Sequence, residues 1–347
     1  MAPAKTVKQW TVKGNVNGFD ELKLDTAAFP ECGENEVLVK LGAASLNYRD
    51  LMIPKAGLSL QKVMQYEEKL TYKSEVVEVG SKVTKWKKGD QVVTLFNQGH
   101  QYGPMTVAAA STGLGGALDG TLREHAVFNE NGLVRKPDNL NTIEASTLSC
   151  AALTAWNALY GLKPLKPGQT VLVLGTGGVS IFGLQFAKAA GAKVIATTSS
   201  EAKAEKMRKL GADHVVNYKT DANWGETVRK LSVGGEGVDH VLEIGGPATL
   251  KDSLRAVKFE GVISIIGQVG SSKREDVPQI IDALSNVCIF RGVYVGSREQ
   301  MEDMVQAIEM NNIHPVVDDE VFDFEKAREA YQYQWDQKHF GNVVIKI

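Results

Sequence analysis

The segment Val171-Leu-Val-Leu-Gly-Thr-Gly-Gly-Val-Ser180 constrains this chain more than any other. Four apolar residues, Val171 to Leu174, run directly into Gly175, Gly177 and Gly178. A helical pattern then carries Val179, Ile181, Leu184, Phe186, Ala187 and Ala190. A second strand pattern, Lys193-Val-Ile-Ala-Thr-Thr198, follows Gly191. Strand, glycine turn, helix and strand in this order form a βαβ opening of the kind that holds a dinucleotide. Glycine lets the backbone approach a pyrophosphate, and the N–H groups at the helix start favour negative charge. The pattern therefore places Gly175, Gly177, Gly178, Val179 and Ser180 against a cofactor. Without a ligand, the same residues would read as a tight βα turn.

Strand and helix patterns alternate from here to about residue 296. Strands are expected at 170–174, 193–198, 214–217, 238–243, 261–266 and 287–295. Helices are expected at 179–190, 200–210, 223–231, 247–257 and 276–284. Six strands with intervening helices predict a doubly wound parallel sheet, a Rossmann α/β architecture. The first 130 residues read mostly as β-structure, with stretches at 8–12, 36–41, 75–79 and 91–96 punctuated by Gly and Pro. Gly113 to Gly120 reads as a loop. Residues 143–159 predict one helix, capped by Asn141 or Thr142 with Glu144 in its first turn. In the tail, helices are expected at 298–310 and 324–334. The last strand, Asn342-Val-Val-Ile-Lys-Ile347, is expected to return to the N-terminal β-structure.

Composition narrows the function classes. The chain has 347 residues, 43% hydrophobic and 23% charged, with a formal net charge of -2. No basic field recruits nucleic acid or an anionic membrane surface. No apolar run reaches membrane-spanning length, and the start has no apolar signal-peptide core. Cys32, Cys150 and Cys288 lie more than a hundred residues apart and form no CxxC pair, which suits a reducing, cytoplasmic setting.

Several motifs together resemble the medium-chain dehydrogenase/reductase superfamily. They are Ser45-Leu-Asn-Tyr-Arg-Asp-Leu51, Val77-Glu-Val-Gly-Ser81, Lys88-Gly-Asp-Gln-Val92, Leu153-Thr-Ala-Trp-Asn157, the glycine turn, Leu210-Gly-Ala-Asp213 with Asn217-Tyr218, and His339-Phe-Gly-Asn-Val-Val344. Within the superfamily the chain is similar to the zinc-independent, quinone-oxidoreductase-like alcohol dehydrogenase branch. The resemblance implies a GroES-like β-rich substrate domain at 1–134, a Rossmann cofactor domain at 135–297, and a return to the GroES-like domain at 298–347. It also implies a small-molecule substrate.

No metal is expected. A catalytic zinc site typically needs Cys and His ligands, and a structural zinc lobe needs four close cysteines. Asn47-Tyr-Arg-Asp50 stands where zinc members carry a Cys, Gln65 to Tyr72 stands where they carry a His-Glu pair, and no histidine lies between residues 1 and 99.

The cofactor is expected to be NADP(H). An NAD site usually carries an acid near the end of the second strand. Here that end is Ala196-Thr-Thr-Ser-Ser200, with Lys203 four residues after Ser199 and Tyr218 closing the third strand. A hydroxyl, a cation and a phenol suit a 2′-phosphate. The alternative is a solvated helix lysine beside a capping serine. By resemblance, Asn47, Tyr48 and Thr154 are the catalytic-side candidates: Asn47 orients, Tyr48 donates to a developing oxyanion, and Thr154 contacts the nicotinamide side. Gly267 and Val269, Tyr294 and Val295, and Asn342 are implied as further cofactor contacts. Asn342 stands where the family has a lysine.

The expected activity is hydride transfer to a carbonyl, quinone or activated alkene. Bulky residues at Glu68-Lys-Leu-Thr-Tyr-Lys-Ser74, where the family has small ones, motivate an alternative. In that alternative a cofactor-stabilised scaffold catalyses a non-redox cyclisation or rearrangement, or only binds. The apolar edge Val287–Val295 predicts pairing with a second copy, a homodimer.

Overall fold

The computed structural model describes residues 6–12, 18–55, 71–269 and 277–347, and of 71–74 only the backbone. The segment 65–70, on which part of the substrate-side expectation rests, lies outside the described residues. Two compact units account for the chain: Met1–Leu153 with Gly296–Ile347, and Thr154–Val295 inserted between them.

The first unit begins with β1 (Thr6–Val12), β2 (Leu22–Ala28), β3 (Glu36–Ser45), α1 (Tyr48–Lys55), β4 (Thr71–Val79), β5 (Gln91–Thr94), α2 (Val107–Ala110), β6 (His125–Asn129), β7 (Leu133–Arg135) and α3 (Thr142–Ala145). The second holds α4 (Leu153–Tyr160, whose first residue belongs to the first unit), β8 (Thr170–Leu174), α5 (Gly178–Ala189), β9 (Lys193–Thr198), α6 (Glu201–Lys209) and β10 (His214–Asn217). It continues through α7 (Trp224–Leu231), β11 (Val238–Glu243), α8 (Leu250–Ala256), β12 (Val257–Ile265), α9 (Ile281–Ser285) and β13 (Ile289–Gly292). The chain then returns to the first unit with α10 (Arg298–Met310), β14 (Val317–Asp323), α11 (Ala327–Trp335) and β15 (Asn342–Lys346).

The second unit is a six-stranded sheet of order β10-β9-β8-β11-β12-β13. All its pairings are parallel. This is the doubly wound Rossmann order, with the reversal between β8 and β11. β8 is buried along its whole length because helices cover both faces of such a sheet, which explains its unbroken apolar run. His240 of β11 is part of this interior. It is 2% exposed, and neither ring nitrogen has a hydrogen-bond partner among the described residues.

Burial holds the His240 imidazole neutral and pushes its pKa down from 6.5 to about 4. Above pH 6.5 the fold carries no penalty. As pH falls from 6.5 towards 4 the unfolded chain takes the proton first, so stability drops. By pH 5 the loss is about 2 kcal/mol. Denaturant unfolding of His240→Leu is expected to show a flatter acid limb than the parent over this range; parallel limbs would contradict the assignment.

In the first unit, β15 lies between β14 and β3. It runs parallel to β14 and antiparallel to β3. The predicted return of the tail to the N-terminal β-structure is thus a sheet position, completing the GroES-like domain. Its core joins both chain segments: the Phe19 ring meets Tyr331 edge-on at 5.6 Å, and Trp10 Nε1 donates to the Phe324 carbonyl at 2.8 Å.

The structure refines the sequence reading at several points. By packing, the units divide after Leu153 and Val295; the expected domain boundaries are 134/135 and 297/298. Residues 135–153 go with the first unit because α3 packs on β3 and β4, and the turn after it on β4 and β5. The single helix expected at 143–159 is three pieces, with a π-helical stretch at Leu148–Ala152 between α3 and α4. Its cap is Asn141, in a reciprocal box with Glu144. The expected strand 287–295 is only β13, because Val287 has a φ of 46° and turns the chain before it.

Candidate cofactor crevice and substrate-side residues

In an open doubly wound sheet, ligands bind beyond the carboxyl ends of the strands where the order reverses. Here that point lies after β8 and β11. The sequence-predicted residues of the second unit gather on this edge, each following the carboxyl end of a strand. Gly175 to Ser180 follow β8, Ser199 and Lys203 follow β9, Tyr218 follows β10, Gly267 and Val269 follow β12, and Tyr294 and Val295 follow β13.

The glycine turn is built for close approach. Gly175 has a φ of 72°, which an L side chain rarely adopts, and its N–H donates to the Thr197 carbonyl at 3.0 Å. A Cβ on Gly177 would meet nothing within 4 Å, so this glycine faces open space. Gly177 is the N-cap of the twelve-residue α5, and no side chain caps that end. The first N–H groups of the helix, including those of Gly178 and Val179, therefore have no intrahelical partner. Residues 175–179 are half-exposed between fully buried flanks. These features fit a diphosphate. Ser180 is different: it is buried, and its Oγ donates to the Leu174 carbonyl at 2.5 Å, tying helix to strand.

At the β9 edge, the capping residue is Ser200. Its Oγ accepts the Lys203 N–H at 3.5 Å. Ser199 is thereby left out of the cap. Glu201, at the start of α6, pairs with Arg208 along its own helix at 2.6 Å. The Tyr218 N–H donates to the Thr198 carbonyl at 3.1 Å, which brings the half-exposed Tyr218 beside the Ser199 turn.

The far side is held by backbone and by Asn157 of α4. Val269 N–H donates to the Ile244 carbonyl at 3.2 Å, and Gly267 N–H to the Glu243 carbonyl at 3.4 Å. Asn157 Nδ2 donates to the Val295 carbonyl at 2.6 Å. The Arg291 guanidinium donates to the Asn157 carbonyl and to Oδ1, both at 2.7 Å. Val295 has a φ of 51°, strained for a β-branched residue. Thr154 is buried and lies three residues before Asn157, on the same helical face.

Asn47, Tyr48 and Asn342 belong to the first unit. Asn47 sits between β3 and α1; its N–H donates to Asp50 Oδ2 at 2.7 Å and its Nδ2 to the Ser45 carbonyl at 3.2 Å. Burial pushes the Asp50 carboxyl up to about 7, with Arg49 and the Asn47 hydrogen bonds opposing. The Tyr48 ring stacks on Trp335 with centroids 6.3 Å apart, and burial raises its phenol pKa. Asn342 is 2% exposed, and both its N–H and its Nδ2 donate to the Val316 carbonyl at 3.0 Å. This asparagine joins β15 to the segment before β14.

Two residues that shape the crevice were not read from the sequence. A Cβ on Gly183 would lie 2.4 Å from Leu242 Cδ2 and 3.2 Å from Val173 Cγ1, so Gly183 lets α5 sit down on β8 and β11. It is the helix–sheet glycine of the dinucleotide turn, displaced along the helix. Glu243, a fully buried carboxylate at the end of β11, left only the signal of an acid after the apolar pair Val241-Leu242.

Comparison with known proteins agrees with this geometry. Residues 33–138 match the alcohol dehydrogenase GroES-like domain, and residues 178–310 match the zinc-binding dehydrogenase family. A zinc-type alcohol dehydrogenase-like protein of Schizosaccharomyces pombe is 44% identical, over 98% of this chain and 99% of its own. The chain belongs to the medium-chain dehydrogenase/reductase superfamily. A solved alcohol dehydrogenase-type structure from Sinorhizobium meliloti 1021 is 37% identical, with a TM-score of 0.86 over 99% of both chains. A structure described as an NAD-dependent alcohol dehydrogenase is 30% identical, with a TM-score of 0.84 over 98% of this chain and 99% of that one. These members of the superfamily support an oxidoreductase with a nicotinamide cofactor. Among the described residues, no group of three or more His, Cys, Asp or Glu could hold a metal ion. No helix there is long and apolar enough to cross a membrane.

Proposed function

We propose that this chain is a zinc-independent, NADP(H)-dependent oxidoreductase that transfers hydride to a carbonyl, quinone or activated alkene of a small molecule. The observation that carries the reading is the β9 edge. Ser200 takes the capping role and Glu201 is drawn into an ion pair, so Ser199, Lys203 and Tyr218 suit a 2′-phosphate where an acid would suit a ribose hydroxyl. When bound, the nicotinamide supplies the hydride. The chain's own residues do the rest. The glycine turn receives the diphosphate, and Asn47, held by Asp50 and Ser45, orients the substrate oxygen. Tyr48, protonated at neutral pH, donates a hydrogen bond where negative charge develops. Zinc independence rests on the donor set, with Asn47 in place of a cysteine and no histidine before residue 99.

Titration with NADPH and NADH, followed by nicotinamide absorbance with a panel of enones, quinones and aldehydes, tests this reading. Stoichiometric oxidation of NADPH by one class, undiminished after chelator dialysis, is the expected result. Substrate turnover that leaves NADPH unconsumed would replace it with the non-redox scaffold.

The same reading includes a cytoplasmic homodimer. Cys32, Cys150 and Cys288 form no disulfide among the described residues. β13 ends the sheet order, and the exposed apolar residues Ile280, Ile281, Leu284, Val287 and Ile289 run into that edge. The wild type is expected to sediment as a dimer at micromolar concentration, and the double variant Ile281→Asp/Leu284→Asp as a monomer. A monomeric wild type would refute the pairing.

A further inference from the structure

Glu243 has no part in the reading above, yet it sits where the strand order reverses. Its side chain is 0% exposed. Oε1 accepts the Gly245 N–H at 2.8 Å, the Gly246 N–H at 3.0 Å and the Thr249 hydroxyl at 2.5 Å. Oε2 accepts the Ser253 hydroxyl. A buried carboxylate is costly unless donors surround it. Burial raises the Glu243 pKa, and these four donors oppose the rise.

The donors come from the loop that leaves β11 and from the start of α8, so the carboxylate gathers that loop around itself. The consequence reaches both neighbours. The Ile244 carbonyl accepts the Val269 N–H, and the Glu243 carbonyl accepts those of Ile266 (2.8 Å) and Gly267. A Cβ on Gly175 would lie 3.6 Å from Ile244 Cδ1, so the Ile244 side chain borders the glycine turn. Gly246, with a φ of 69°, presses so near the next strand's exit that its Cβ would be 3.1 Å from both Gln268 Cα and the Gly267 carbonyl. One buried anion thus sets the backbone between the diphosphate turn and the 267–269 segment.

We propose that Glu243 is a positioning residue that holds residues 244–249 and 267–269 in the shape that receives the nicotinamide end of the cofactor. The inference rests on the nicotinamide reading. It also separates the two halves of the cofactor, because the adenosine half is held at β9 and β10, away from this loop.

The test compares Glu243→Asp, Glu243→Gln and wild type for binding of NADPH, NADH and ADP-ribose, with melting temperature and the emission of bound NADPH as further readouts. Glu243→Asp keeps the charge but draws it back by one methylene. It is expected to bind the whole cofactors about tenfold more weakly, bind ADP-ribose within about twofold of wild type, and move bound-NADPH emission towards that of free NADPH. Glu243→Gln is expected to restore binding, since its amide oxygen can accept the three Oε1 bonds while its amide N–H donates to the Ser253 hydroxyl.

A folded Glu243→Asp that binds NADPH like wild type overturns the inference. Equal loss of ADP-ribose and NADPH also overturns it, because the role is then only structural. If Glu243→Asp does not fold, Thr249→Val removes one clamp and leaves the carboxylate in place. About threefold weaker NADPH with unchanged ADP-ribose is expected from it, and unchanged NADPH overturns the inference. A wild type that binds neither reduced cofactor brings down the nicotinamide reading itself. Failure of the Glu243 inference alone shows as a binding wild type with unaffected variants.

Discussion

Replacing Lys203 with alanine is expected to weaken NADPH binding about tenfold or more while leaving NADH nearly unchanged. A charge-assisted contact to a phosphate contributes roughly 1.5–3 kcal/mol, and each 1.4 kcal/mol is about tenfold in affinity. Lys203 is half-buried in the first turn of α6, and its backbone N–H is held by Ser200. The Lys203 backbone is thus fixed next to the Ser199 turn, whose Thr198 carbonyl accepts the Tyr218 N–H. The fold is expected to tolerate the change, because the cap is a backbone contact that alanine retains. Fluorescence titration with each reduced cofactor gives the two affinities. Equal loss for both, or loss for neither, removes Lys203 from the phosphate pocket and makes it an ordinary helix lysine.

The largest stability effect is expected at Gly183. A leucine there would force atoms into the space of Leu242 and Val173, both fully buried. Overpacking of this kind costs about 3 kcal/mol at the upper end of its range. In a unit of this size that corresponds to roughly 6–12 °C in melting temperature. Gly177→Ala is the control. Its added carbon meets no atom within 4 Å, so the melting temperature is expected to stay close to wild type. The methyl would instead stand on the surface that receives the diphosphate, so cofactor affinity is expected to fall. Calorimetry of the two variants separates a glycine needed for packing from one needed for approach. A Gly183→Leu protein that melts with the wild type would show that α5 is not seated this closely on the sheet.

The parts legible in the sequence were those whose signal is local. The β8–α5–β9 opening appears within a residue of its expected bounds because an apolar strand, three glycines and a helical stripe act over short range. α10 also falls on its expected residues, with Ser297 and Gln300 closing a reciprocal capping box. β14 was not legible. Val317-Asp-Asp-Glu-Val-Phe-Asp323 reads as a charged loop, and it is a strand because it pairs with β15 from the far end of the sheet order. The break within 143–159 was hidden for a related reason, since Leu148–Ala152 is apolar and helix-compatible and only tertiary packing widens its turns. In the crevice, the turn itself was readable from glycine spacing, since Gly175 and Gly177 stand where the backbone bends between β8 and α5. Glu243 was not, because its role depends on four donors that follow it and on a sheet neighbour more than twenty residues away.

The insertion of one unit within the other orders events on the ribosome. All six strands of the second unit are made in one uninterrupted stretch, from Thr170 to Gly292, so that sheet can close as soon as the stretch has emerged. The first unit has no such freedom. β3 is synthesised early, yet the strand that hydrogen-bonds along its Ala43–Ser45 edge is β15, made only after the entire inserted unit. Until then the β3 edge and the apolar surface that will cover Tyr331 lack their partners. The nascent chain carries an open half-sheet through the translation of the inserted unit and the tail, so the N-terminal segment, rather than the inserted unit, is expected to be the part exposed to aggregation and to chaperone capture.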